Sequence, residues 1–221
     1  MIKISNFKIA IDKYSINDSI VGFMRRRSDL EIHSKKLSFG SISYFSNKES
    51  QKEKSETLVF IHGFGSDKDN WVELAALFTA QYRVILLDLP GHGDSVQDLS
   101  LSYTIQKQAD YLNEFLSTLD VDNMHIVGNS MGGAVATRYV YLHHENVKSL
   151  ILLNSHGAVK TPSYVDILYQ KTGATPMLDI SSVEDFKKAM GIAIEKSRYI
   201  SKFMLEVLAK KKLNVSHSKK N

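Results

Sequence analysis

The 221-residue chain contains no cysteine, which excludes a disulfide framework, a thiolate metal site and a cysteine nucleophile. No apolar run reaches the ~18–20 residues of a membrane span, and the N-terminus lacks the charged-then-apolar pattern of a secretory signal. Neither G-x-x-x-x-G-K-[ST] nor a helix-opening G-x-G-x-x-G occurs, so nucleotide binding is not expected. The net charge of +4 comes without a basic stripe interleaved with aromatics, so a nucleic-acid partner is not expected either. The positive excess is terminal: over 196–221, eight lysines and arginines stand against Glu206 alone. His143 and His144 are adjacent and diverge by about 100° on a helix, a poor arrangement for sharing a metal ion.

With 43% hydrophobic and 24% charged residues, the chain has the composition of a soluble globular protein. Its length suits one large domain, or a core with a lid. Residues 1–36 scatter Phe7, Ile11, Tyr14, Ile20, Phe23 and Met24 at loosely helical intervals before Arg25, Arg26 and Arg27. They are expected to form an N-terminal helical segment packed on the body, with peripheral membrane contact as the alternative. A cytoplasmic or peripheral membrane location fits this pattern.

Residues 37–160 are expected to form the core. From Leu37 the chain alternates, with Leu37, Phe39, Ser41, Ser43 and Phe45 on one side and Ser38, Ile42 and Tyr44 on the other, as in a hairpin strand. The apolar runs Leu58 to Ile61, Val84 to Leu87, His125 to Val127 and Leu150 to Leu153 then alternate with helical spacing over 71–80, 103–119 and 131–143. In the second helix Ile105, Ala109, Leu112, Phe115, Leu116 and Leu119 make one stripe, with Ser102 placed to cap it. Runs of this kind read as strands buried on both faces, and the expected fold is α/β with an open, mostly parallel sheet. Ligands of such sheets bind beyond the carboxyl ends of the strands, here after Ile61, Leu87 and Val127.

Chemistry-bearing residues stand at those three places. Gly128-Asn129-Ser130-Met131-Gly132 is a G-x-S-x-G sequence at a strand-to-helix turn, the nucleophile-elbow pattern, which lifts a serine hydroxyl clear of the sheet. Chance supplies it roughly 0.08 times in a chain of this length. His62-Gly63-Phe64-Gly65 follows the first run, where the loop of an acyl-transfer site supplies an oxyanion donor. The amides of Phe64 and Met131 are the expected pair of donors, with His62 and Gly63 in the same binding loop. Leu87-Asp88-Leu89-Pro90-Gly91-His92-Gly93-Asp94-Ser95 ends the next run.

In these three successive motifs, over about 37–155, the chain resembles the α/β-hydrolase family, and within it the bacterial lipase, esterase and monoacylglycerol-lipase branch. The Arg25-Arg26-Arg27 helix and Glu195-Lys196-Ser197-Arg198-Tyr199 add weaker likeness to that branch. The resemblance implies a serine hydrolase acting on a small-molecule ester or lipid, with Ser130 as nucleophile and no metal or organic cofactor. A non-catalytic homologue and a C–C bond hydrolase of the same fold are the alternatives.

The family's acid and base, which follow the nucleophile in the order Asp or Glu and then His, have no obvious counterparts. His143 and His144 lie behind the elbow, His156 follows its strand too early, and His217 sits in a lysine-rich tail. His156 is the weak candidate base. Asp166, Asp179 and Asp185 fall in helical surroundings, and Asn154, at the end of the last run, cannot be an ionised partner. Residues 161–213 resemble the family's helical cap or lid, in which Met177, Leu178, Met190, Phe203 and Met204 are expected as packing or as an acyl-chain pocket; 214–221 form a polar tail. Two further strand-and-helix units, at ~30 residues each, normally follow the cap. The expectation is therefore a C-terminally truncated member, its last strands and histidine loop missing. Its final strand would be an exposed edge prone to self-association.

Overall fold

The computed structural model describes residues 29–47, 56–157, 161–162, 164–173 and 180–193. They fall into two compact units, one within 29–157 and the other from 161 onward.

The first unit holds strands β1 (Leu30–Leu37), β2 (Gly40–Asn47), β3 (Thr57–Ile61), β4 (Arg83–Leu87), β5 (Met124–Asn129) and β6 (Val147–Leu153). Its helices are a 3₁₀ turn (Lys68–Trp71), α1 (Val72–Ala76), α2 (Ile105–Ser117) and α3 (Met131–Leu142). The sheet order is β1-β2-β4-β3-β5-β6. The β1–β2 and β2–β4 pairs are antiparallel, and β4, β3, β5 and β6 run parallel. The expected open, mostly parallel α/β sheet is thus present.

The central strands are buried on both faces where their residues are apolar at consecutive positions, Leu58 to Ile61, Val84 to Leu87 and Ile126 to Val127, and the period of two divides them between two layers. Val59, Ile61, Ile85, Leu87 and Ile126 pack with Ala109, Leu112, Phe115 and Leu116 of α2 and with Val135, Ala136 and Tyr139 of α3. Leu58, Phe60, Val84, Leu86 and Val127 pack on the other side with Trp71, Val72 and Ala75. All six residues of the expected α2 stripe join the first layer.

Four expectations are corrected. Residues 30–37 form strand β1, although 1–36 were expected to be helical; Glu31-Ile32-His33-Ser34 alternates and pairs with β2, Ile32 opposite Phe45. The rest of that segment lies outside the described residues. Leu37 and Phe39 join the layer of Ile42 and Tyr44 rather than opposing it, because the turn into Gly40 (φ 133°) breaks the alternation. The cap of α2 is Thr104, whose side chain accepts from the Lys107 amide at 3.3 Å, not Ser102. The helix expected over 71–80 shrinks to α1 behind the 3₁₀ turn.

The second unit contains α4 (Tyr164–Thr172) and α5 (Val183–Ala193), in agreement with helical spacing there. Met190 is half-buried, while Met177, Leu178, Phe203 and Met204 lie outside the described residues.

Candidate active site

Register brings the motifs to one end of the sheet. Ile61 pairs with both Leu87 and Gly128, so the segments that follow β3, β4 and β5 leave the sheet side by side.

Ser130 stands between β5 and α3 with φ 52° and ψ −118°. A non-glycine residue in that region carries strain on the order of 1–3 kcal/mol, which surrounding structure must hold in place. Here the hold is backbone pairing. The Ser130 amide donates to the Leu153 carbonyl at 3.0 Å, and the Ser130 carbonyl accepts from the amides of Gly133 at 3.0 Å and His156 at 3.1 Å. Close approach completes it: a Cβ on Gly132 would meet the carbonyl oxygens of Ile61 and His62, and one on Gly63 would lie 3.2 Å from the Ser130 Cβ. Met131 is the first residue of α3, so its amide is among the unpaired N–H groups of a helix N-terminus.

Phe64 is 58% exposed beyond β3, while His62 beside it is 1% exposed. The Leu89 amide donates to His62 Nε2 at 3.0 Å, which leaves Nδ1 to donate to the Gly63 carbonyl at 2.8 Å. Burial pushes the His62 pKa down against the opposing pull of the Gly63 bond and Asp88. With both nitrogens committed in a buried ring, His62 ties the loop after β3 to the loop after β4. The His92 ring lies 5.0 Å from that of His62 and 5.6 Å from that of Phe64.

A second tie between the same loops escaped the reading of the sequence. Lys68 Nζ donates to Asp88 at 2.6 Å and to Asp94 at 2.7 Å, with Lys68 and Asp88 side chains 2% and 0% exposed. Asp88 also accepts from the Lys68 amide at 2.7 Å and the Asp94 amide at 2.9 Å. Burial works against the Lys68 charge, but the two carboxylates outweigh it and raise its pKa above 10.5. The available signal was a lysine and an aspartate flanking buried strands at the sheet's carboxyl end, with Gly93 leaving room for the carboxylate.

The candidate acids and bases have surroundings of their own. The Ser130 side chain makes no capping hydrogen bond to α3. The His156 backbone touches Ser130 through its amide, and its side chain is exposed. His143 closes α3 with its ring 5.2 Å from that of Tyr139, and His144 is exposed. Asp185 is taken up in capping α5: it accepts from the hydroxyls of Ser181 at 2.8 Å and Ser182 at 2.7 Å, bonds that lower its pKa. Asp166 lies in α4 and Asn154 follows β6 at φ 47°. Asp179 and His217 lie outside the described residues. No group of three or more metal-ligating side chains occurs among the described residues.

A strained serine at a strand-to-helix turn, wedged against a glycine of the neighbouring loop, matches what the family comparison finds: the alpha/beta hydrolase fold family fits residues 56–184. The chain belongs to the α/β-hydrolase family. It is 33% identical over 202 residues to Lipase 3 of Moraxella sp. (strain TA144), covering 88% of this chain and 61% of that protein. It is 34% identical over 201 residues to Lipase 1 of Psychrobacter immobilis, covering 88% of this chain and 60% of that lipase. The crystal structure of a membrane phospholipase A matches with a TM-score of 0.81 and 31% identity, over 93% of this chain and 65% of that one. This α/β-hydrolase chain thus spans about three fifths of the length of the curated relatives it matches.

Proposed function

We propose that this α/β-hydrolase acts on carboxylic esters, with lipids as the substrate class, through Ser130. The observation that carries the reading is the Ser130 backbone at φ 52° and ψ −118°, the strained strand-to-helix conformation by which a nucleophile elbow presents its hydroxyl. In this reading Ser130 Oγ attacks the ester carbonyl carbon and forms the acyl-enzyme. The amides of Phe64 and Met131 stabilise the oxyanion of the tetrahedral intermediate. His62, fixed by Leu89, and Gly63, lying against Ser130, position the first of those donors. A general base must take the hydroxyl proton and return it to the leaving alcohol. The likeness to two lipases and a membrane phospholipase A supports a lipid ester met at a membrane surface.

The unassigned base favours a second reading, a non-catalytic homologue in which Ser130 is unactivated. A C–C bond hydrolase is the third, supported by 34% identity over 110 residues to a 2-hydroxy-6-oxo-6-(2'-aminophenyl)hexa-2,4-dienoic acid hydrolase of Metapseudomonas resinovorans. Labelling with a fluorophosphonate, with Ser130→Ala as control, separates the first two. Rapid labelling abolished by the substitution supports the esterase. Folded protein that stays unlabelled overturns it in favour of the non-catalytic homologue. Turnover of a vinylogous diketone in preference to an ester would move the assignment to the third.

A further inference from the structure

The loop after β3 is tied at both ends to two consecutive residues after β4. At its start, His62 Nε2 accepts from the Leu89 amide at 3.0 Å. At its end, the Lys68 amide donates to Asp88 Oδ1 at 2.7 Å and the Lys68 ammonium to Asp88 Oδ2 at 2.6 Å. Between the ties, the Ser66 amide donates to the Gly63 carbonyl at 3.2 Å and closes a turn with Phe64 and Gly65 at its centre. Gly65 takes the left-handed φ of 66° that favours glycine at the third position of such a turn. Asp88 is itself fixed to the sheet: its amide donates to the Ser43 carbonyl at 2.9 Å, and its carbonyl accepts from the Ser95 hydroxyl at 2.7 Å. The Phe64 amide therefore rides on an arch whose far tie includes an ammonium. That ammonium has a second hold, Asp94 Oδ2 at 2.7 Å, on a side chain 71% exposed.

Taking the Phe64 amide as an oxyanion donor, the reading on which this rests, we propose that Asp94 is a positioning residue for the acylation of Ser130. By holding the Lys68 ammonium against Asp88, it fixes the arch that presents that amide. A lysine ammonium is a point charge on a flexible stem, so a single carboxylate restrains it poorly, and two carboxylates on different residues restrain it from two sides. The Asp94 amide donates to Asp88 Oδ2 at 2.9 Å, which holds the two carboxylates in one place. An exposed carboxylate thus reaches the reaction through Lys68. A displaced donor is costly, because a misplacement of about 1 Å lowers a rate on the order of 10²-fold. Action through charge alone would have the opposite sign. A carboxylate near a developing oxyanion raises its energy, so removing Asp94 would then speed acylation.

Hydrogen exchange at the Ser66 and Lys68 amides, each bonded in the arch, follows its opening on the full chain whether or not Ser130 reacts. Asp94→Ala, at an exposed site, is expected to speed exchange there about tenfold and to leave β3 and β5 as in the wild type. Fluorophosphonate labelling over a range of concentrations separates the limiting rate from the half-saturating concentration. The variant should lower the first about tenfold and leave the second unchanged, since a donor to the oxyanion is felt only in the transition state. Asp94→Glu, which returns a carboxylate within reach of Lys68, should recover both rates. Asp110→Asn, which removes a carboxylate from the exposed pair with Lys107 on α2 at 3.2 Å, should change neither. Unchanged exchange in Asp94→Ala, a limiting rate equal to or above that of the wild type, or no recovery in Asp94→Glu would each overturn the proposal. A wild-type chain that takes no label overturns the esterase reading and the catalytic part of this proposal with it, while exchange still decides whether Asp94 fixes the arch.

Discussion

Lys68 and Asp88 form an ion pair at 2.6 Å in which both side chains are withdrawn from solvent. The lysine ammonium also stands 5.1 Å from the centre of the Phe45 ring. A pair so placed is costly to assemble, since each charge loses its hydration. Its attraction offsets that loss only because the remaining polar atoms are satisfied. The Asp88 oxygens receive the amides of Lys68 and Asp94 as well as the ammonium. Its place explains its presence. It joins the segment after β3, which carries Phe64, to the segment after β4.

Breaking the pair from either side leaves a buried charge without its partner. Lys68→Met or Asp88→Asn is expected to destabilise the fold by about 3–5 kcal/mol, and Lys68→Met combined with Asp88→Asn by less than the sum. Asp94→Asn, whose parent side chain is 71% exposed, should cost under about 1 kcal/mol. Urea unfolding of the four variants measures the set, and additive losses would rule out the coupling.

His62 gives the fold a pH dependence of definite sign. Burial lowers its pKa in the folded state below the ordinary 6.5, so the unfolded chain binds the proton more readily. Stability from the neutral ring is complete above about pH 6.5 and is lost as pH falls below it. The carboxylates with lowered pKa, among them Asp98 and Asp185, start from 3.8 and act at more acid pH. Unfolding midpoints between pH 7.5 and 5 should therefore fall for the wild type and flatten for His62→Gln. Parallel slopes would show that another group is responsible.

The parallel sheet was legible because each central strand is apolar at consecutive positions, and the elbow because glycine and serine are held to fixed spacings. β1 was missed because Glu31, His33, Lys35 and Lys36 conceal its alternation; an edge strand needs no apolar face on its outer side. The true cap at Thr104 and the shortness of α1 depend on local hydrogen bonds that spacing does not specify. Lys68 and Asp88 are 20 residues apart, and charged residues read from a sequence default to the surface. Their burial emerges only once β3 and β4 are paired. The acid and base differ in kind from these: neither the spacing of the sequence nor a side-chain contact among the described residues of 29–157 assigns them.

Gly132 tests how closely α3 must approach the sheet. A Cβ there would collide with the Ile61 and His62 carbonyl oxygens, backbone atoms that cannot rotate away. Gly132→Ala is expected to cost about 3 kcal/mol, the upper end of what an overpacked core site typically costs. Gly63→Ala, 3.2 Å from the Ser130 Cβ, requires a shift of only tenths of an ångström. It should leave thermal unfolding within a few degrees of wild type while slowing fluorophosphonate labelling. A Gly132→Ala protein with wild-type unfolding would show that the helix has slack.

The Phe64 amide can be separated from the Phe64 ring. The ring is 58% exposed and meets His92 edge-on, so Phe64→Ala removes a modest contact and keeps the N–H. Proline at the same position removes the N–H itself. If that amide stabilises the oxyanion, Phe64→Pro should lower the acylation rate about 10²–10³-fold, the effect of deleting one such donor, while Phe64→Ala lowers it tenfold at most. Stopped-flow acylation with an activated ester, paired with thermal unfolding to confirm the folded state, measures both. Equal losses in the two variants would assign the effect to the ring, and the donor would then have to be sought elsewhere in 63–66.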